Sequence, residues 1–143
     1  MEELPFLFHL IVNRGYLFKK GAAPMGKVRV FNASRNSLIL QEAKVADRFW
    51  GRLQGLLCRK NLPPGEGLII KPCKSVHTFF MTFPIDVCFV DREGRICFLM
   101  ENLRPYRFTP FVKNSFFVVE APAGTLRDAS CGVGDEIRLE VMQ

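Results

Sequence analysis

The chain has 143 residues, 48% hydrophobic and 24% charged, with 20 Lys and Arg against 14 Asp and Glu for a formal net charge of +6. A single domain of that length buries roughly 68–70% of its unfolded surface, so it needs no metal or disulfide to fold, and its apolar content excludes a disordered chain. The positive charge suits an anionic partner, but the basic residues are spread along the chain, as on an ordinary solubilising surface.

Taken in chain order, Leu4 to Val12 is apolar apart from His9. Glu2 and Glu3 stand where a secretory signal carries positive charge, and the run is far too short for a membrane span. Gly21 to Gly26 reads as a linker. Residues 1–24 are therefore read as an N-terminal extension, either an added strand or a segment outside the fold, and residues 25–143 as one globular domain, expected in the cytoplasm. Val28 and Val30 alternate with charged neighbours and predict a strand, paired through a turn near Asn32–Asn36 with a second strand from Leu38. Phe49, Leu53, Leu56 and Leu57 recur at helical spacing, which predicts an amphipathic helix over 46–59. The 14 phenylalanines favour a β-rich core. Strands are predicted at 67–71, 75–83, 86–91, 95–100, 115–121 and 136–142. A turn at Glu93-Gly94 joins the third of these to the fourth. Residues 101–114, with two prolines and mixed polarity, predict a long surface loop of the kind that carries function.

Five cysteines are present: Cys58, Cys73, Cys88, Cys97 and Cys131. The odd number and the absence of a CxxC pair point to reduced, buried thiols. Cys88 and Cys97 flank the Asp91–Gly94 turn, which would set them opposite each other in a hairpin, where only an oxidising compartment would join them.

Six stretches occur in a recognisable order: Arg52–Arg59, His77-Thr-Phe-Phe-Met81, Pro84–Asp91, Glu93-Gly-Arg95, Val119–Gly124 and Gly132-Val-Gly-Asp135. Together they resemble the domain-of-unknown-function family numbered 192, also called uncharacterised protein family 0127, from about residue 28 to the C-terminus. The resemblance implies a compact β-rich fold with one short helix and brings no established reaction. Cys58 departs from what is usual in that family and is not carried over as a site.

Two constellations could carry chemistry. His77, on a strand, would share a face with Phe79, Met81 and Phe83, and Asp86 could return beside it to orient the imidazole, with Cys73 or Thr78 as a nucleophile. Packing among aromatics explains His77 equally. Glu120 lies inside an apolar run, so it needs a partner. Arg52 is the first choice, either as a structural tie or as part of an anion pocket with Arg48 and Arg59. Cys73 and His77 would lie about 13 Å apart on a strand, too far to share zinc, so no metal and no cofactor is expected. The phenylalanines sit among Val, Ile and Leu, not among Lys and Arg, which argues against nucleic acid.

The expected architecture is α+β: a strongly bent or barrel-like, mainly antiparallel sheet against one short amphipathic helix. The expected function is a non-catalytic accessory module that binds a small anionic ligand or another protein. Its pocket is expected at His77, Phe80, Met81, Asp86 and the 101–114 loop, braced by Arg52 and Glu120. The alternative is a small hydrolase-like enzyme using His77 with Asp86.

Overall fold

In chain order the structure, a computed structural model that describes residues 26–47 and 61–142, runs β1 (Lys27–Asn32), β2 (Ser37–Asp47), β3 (Glu66–Lys71), β4 (Ile85–Asp91), β5 (Ile96–Leu103), β6 (Ser115–Pro122), α1 (Thr125–Asp128) and β7 (Ile137–Val141). The strands form one sheet in the order β5-β4-β6-β3-β2-β1-β7. Every neighbouring pair is antiparallel except β2–β3. The sheet curls so far that the start of β7 meets the β4–β5 turn. Arg95 bridges Glu136. The Ile96 amide donates to the Asp135 carbonyl at 2.9 Å, Gly134 to Ile96 at 2.8 Å and Ile137 to Gly94 at 2.8 Å. The result is a half-barrel, closed at one end.

The pleat assigns the two faces of this sheet to two cores. Val30, Leu40, Ile69, Cys88, Phe117, Val119 and Leu139 fill the concave side, joined by Leu126 of α1. Leu68, Ile70, Ile85, Val87, Phe89 and Val118 point the other way and are covered by Leu62, Cys73, Val76 and Met81 from the segments between strands. Strands β4 and β6 are buried on both faces, so they read as continuous apolar runs and not as alternating ones.

The bent, mainly antiparallel sheet agrees with the expectation from sequence, but the molecule is mostly sheet, and α+β describes it only loosely. Three details differ. The predicted helix begins where β2 still runs, because Ala46 and Asp47 remain paired with Ile70 and Lys71 of β3. The rest of that prediction, Arg48, Arg52 and Arg59 with it, lies outside the described residues, as does the extension 1–24. The segment 75–83 is not a strand; only His77 makes a bridge, to Phe108. The third concerns Cys88 and Cys97. The register shifts between Phe89 and Val90, so Cys88 pairs with Leu99 and both thiols are free. The bulge adds a residue to β5 and moves Cys97 out of register. Helix α1, four residues long, has no periodicity and was not predicted.

A buried carboxylate ties the closed end together. Asp135 Oδ2 accepts from Asn32 Nδ2 at 2.9 Å and from the Gly132 amide at 2.9 Å, with Arg35 Nε at 3.5 Å. Burial alone would raise this carboxyl, but the hydrogen bonds from Asn32 and Gly132 and the Arg35 charge outweigh it and hold it below its ordinary value. A carboxylate held low in the fold stabilises it above the unfolded value and loses that contribution as pH falls through the folded value. Acid titration of the unfolding midpoint is therefore expected to show a decline below about pH 4, shallower in Asp135→Asn. An unchanged profile in that variant would remove Asp135 from the account.

Candidate functional site

The two segments that cover the convex core, 72–83 and 104–115, bind each other along an irregular ladder. The Cys73 amide donates to the Phe116 carbonyl at 3.0 Å, Val112 to Lys74 at 2.7 Å, Thr109 to Val76 at 2.9 Å and Thr78 to Arg107 at 2.8 Å. Two buried hydroxyls lock the ladder. Thr78 Oγ1 donates to the Arg104 carbonyl at 2.6 Å and accepts from the Arg107 amide at 3.0 Å. Thr109 Oγ1 accepts from the Val76 amide at 2.9 Å. Buried backbone groups that lack a sheet partner need such bonds, and here they fix two loops as one platform.

The outward side of the platform is aromatic. Phe80, Phe108 and Phe111 are each 71% exposed, Tyr106 56% and Phe79 38%. Phe80 meets Tyr106 edge-on at 5.9 Å, Phe79 is tilted against Tyr106 at 6.4 Å, and half-buried His77 stacks on Phe79 at 5.1 Å. Phe80 and Tyr106 have φ of 68° and 60°. The left-handed region costs a bulky residue roughly 1–2 kcal/mol, so the fold holds both apical residues against a local preference. Lys74, Arg104, Arg107 and Lys113, on the same two segments as the rings, are exposed. Lys74 Nζ donates to the Lys113 carbonyl at 2.6 Å and lies 6.0 Å from the Phe111 ring centre. Neither 71–84 nor 102–115 contains an Asp or Glu.

Of the residues singled out from sequence, His77 and Phe80 meet on this face. Met81 is buried in the convex core beneath it. Asp86 is fully buried on the opposite side of β4, where Oδ1 accepts from the Asn102 amide at 2.8 Å and Oδ2 from Gly124 and Leu126, each at 3.0 Å. His77 Nδ1 accepts from the Phe79 amide at 3.3 Å. Glu120 is buried in the middle of β6, level with Leu68 and Val87. Arg52 lies outside the described residues. Thr78 is committed to the ladder, and Cys73, buried, points its Sγ at the Ser75 carbonyl at 3.1 Å. Burial pushes the Cys88 and Cys131 thiols up, away from reactive thiolate. Sequence reasoning placed Phe79 beside His77 and the 101–114 loop at the site, but did not single out Tyr106, Phe108 and Phe111 or the cations Lys74, Arg104, Arg107 and Lys113. The signal was there: Arg104-Pro-Tyr-Arg-Phe-Thr-Pro-Phe-Val-Lys113 does interleave rings with basic side chains.

Elsewhere, a small depression is lined by Lys27, Glu42, Lys44, Glu66 and Gly67. Lys27 and Glu42 already pair there at 3.0 Å. Among the described residues no group of three or more His, Cys, Asp or Glu is placed to hold a metal ion, and no helix is long and apolar enough to cross a membrane.

The model of a family described as Uncharacterized ACR, DUF192, matches residues 30–139. A UPF0127 protein of Pyrococcus abyssi is 32% identical over 114 residues, covering 76% of this chain and 94% of its own. One from Thermococcus sibiricus is 29% identical over 116 residues, covering 78% and 75%. A solved protein of unknown function from Novosphingobium aromaticivorans superposes with a TM-score of 0.66 at 21% identity, over 86% of this chain and 99% of that one. A solved structure from Sinorhizobium meliloti 1021 gives 0.66 at 23% identity, over 84% and 98%. The likeness to these structures is one of fold.

Proposed function

The chain belongs to the DUF192 family, which is uncharacterised, and from its own geometry we propose that it is a non-catalytic binding module whose working surface is the platform built from 72–83 and 104–115. One observation carries this reading: five exposed rings project from two loops fixed to each other by hydrogen bonds, and the segments that carry them hold four exposed cations and no Asp or Glu. A contiguous apolar patch with a polar rim marks an interaction site more often than a solvated surface. His77 belongs to it as part of the aromatic stack. The hydrolase alternative receives less support, because the Asp86 oxygens are occupied by three backbone amides and Thr78 is committed to holding the loops. Location in the cytoplasm is part of the proposal, supported by the free thiols Cys88, Cys97 and Cys131.

Anilinonaphthalene sulfonate, an aromatic anion, is the probe that tests the face. Fluorescence titration of the full chain is expected to saturate, and the pair Phe80→Asn with Phe108→Ser to weaken binding about tenfold, the equivalent of roughly 1.4 kcal/mol. Asn is chosen at Phe80 because it tolerates left-handed backbone. Both positions are exposed, so the melting temperature should hold. Equal affinity in wild type and variant would refute the reading.

A further inference from the structure

The platform's shape and charge together identify a class of partner. We infer that this face docks on the surface of an anionic lipid bilayer, an inference that rests on the platform being the binding surface.

Three observations support a bilayer. First, the most exposed side chains are Phe80, Phe108 and Phe111, purely apolar rings on loops, with Tyr106 beside them. Rings of this kind partition into the zone between headgroups and acyl chains, which receives projecting side chains without a preformed cavity. Second, the segments that carry the rings also carry the exposed cations Lys74, Arg104, Arg107 and Lys113, and no acidic residue lies in either segment. Cations at that height would meet lipid phosphates while the rings enter the layer below. Third, the left-handed backbone at Phe80 and Tyr106 is held by the Thr78 bonds, so the tips are presented ready-made. No ordering of the loops is then required on binding.

The same residue types could stack on single-stranded nucleic acid. That mode uses rings as successive flat platforms along a charged groove. Here Phe80 and Phe79 turn against Tyr106 at 68° and 49°, so the rings close on one another into an apolar knob. The geometry favours insertion over base stacking.

Co-sedimentation tests the inference with the full chain and two vesicle preparations: phosphatidylcholine alone, and phosphatidylcholine mixed equally with phosphatidylglycerol. Binding is expected to be about tenfold tighter to the mixed vesicles and to weaken as salt is raised. Phe80→Asn with Phe108→Ser should reduce binding to mixed vesicles about tenfold. Arg104→Gln with Arg107→Gln should abolish the preference for phosphatidylglycerol while melting as wild type does. Inorganic phosphate in millimolar excess should not compete, since it offers no acyl layer; full competition would make the site a phosphate pocket and overturn the inference. Tight binding of oligothymidylate without vesicle binding would overturn it in favour of nucleic acid. If the fluorescent anion binds at the rings and vesicles do not, the membrane inference falls while the binding face stands. If neither binds, both fall.

Discussion

Asp86→Ala is expected to destabilise the protein by about 3 kcal/mol, because it takes away the one acceptor shared by three main-chain donors. The carboxylate is fully buried at the start of β4 and accepts three backbone N–H bonds, from Asn102, Gly124 and Leu126. It thereby joins three parts of the chain at one point: the first turn of β4, the end of β5 and the turn that leads into α1. Two of the donors belong to residues in left-handed conformation, Asn102 at φ 54° and Gly124 at φ 94°. Neither can be satisfied by sheet pairing there, so the carboxylate stands in for a missing strand. Removing it leaves three donors without acceptors; the buried Leu126 amide costs about 1–3 kcal/mol and the part-buried Asn102 and Gly124 amides less, as far as water reaches them. Asp86→Asn should fall between, because its amide carries one acceptor where the carboxylate carries two. The measurement is the urea midpoint of wild type, Asp86→Asn and Asp86→Ala at one pH, with the slope compared to detect loss of two-state behaviour. Equal midpoints for all three would show that solvent reaches these amides and that Asp86 is no keystone.

The same residue marks where sequence reading succeeds and where it stops. The strands 85–91, 115–122 and the β4–β5 turn were legible because continuous apolar runs and a Gly turn are local signals. Asp86 was read from sequence as an acid returning beside His77 to orient its imidazole. Its partners were not legible, since they are main-chain amides 16, 38 and 40 residues away and carry no side-chain signature. The segment 75–83 misled for a related reason. Its aromatic content reads as a strand, but Thr78 binds the chain into a loop ladder, and the rings that would have lined a strand face instead project outward. Propensity reports what a residue suits, while the hydrogen-bond partner decides which state is taken. Hence the sequence placed His77 and Phe80 at a site and grouped with them Met81, which the loop turns into the core beneath, and Asp86 and Glu120, which the pleat sends into the interior.

Gly67→Ala tests the other feature that the curled sheet imposes, close approach of backbones. Gly67 lies on β3 beside Ala43 of β2, and an added Cβ would collide with the Glu120 carbonyl oxygen of β6 and with Leu40 Cδ1. Neither neighbour can yield cheaply. Leu40 is fully buried in the concave core, and the carbonyl belongs to the strand that pairs with β3 through Leu68–Glu120. Overpacking of this kind typically costs 1–3 kcal/mol, and a backbone collision belongs at the top of that range, about 3 kcal/mol. Gly134→Ala is the matched control. It has φ 95° and nothing within 4 Å of its Cβ, so it carries conformational strain without collision and should lose only about 1–2 kcal/mol. Adding Leu40→Val to Gly67→Ala relieves the side-chain half of the clash and leaves the carbonyl half. The double variant should therefore be less destabilised than the sum of the two single ones, a coupling expected only between residues in contact. Simple additivity, or a Gly67→Ala midpoint no lower than that of Gly134→Ala, would mean that β3 and β6 are spaced more widely than the half-barrel requires.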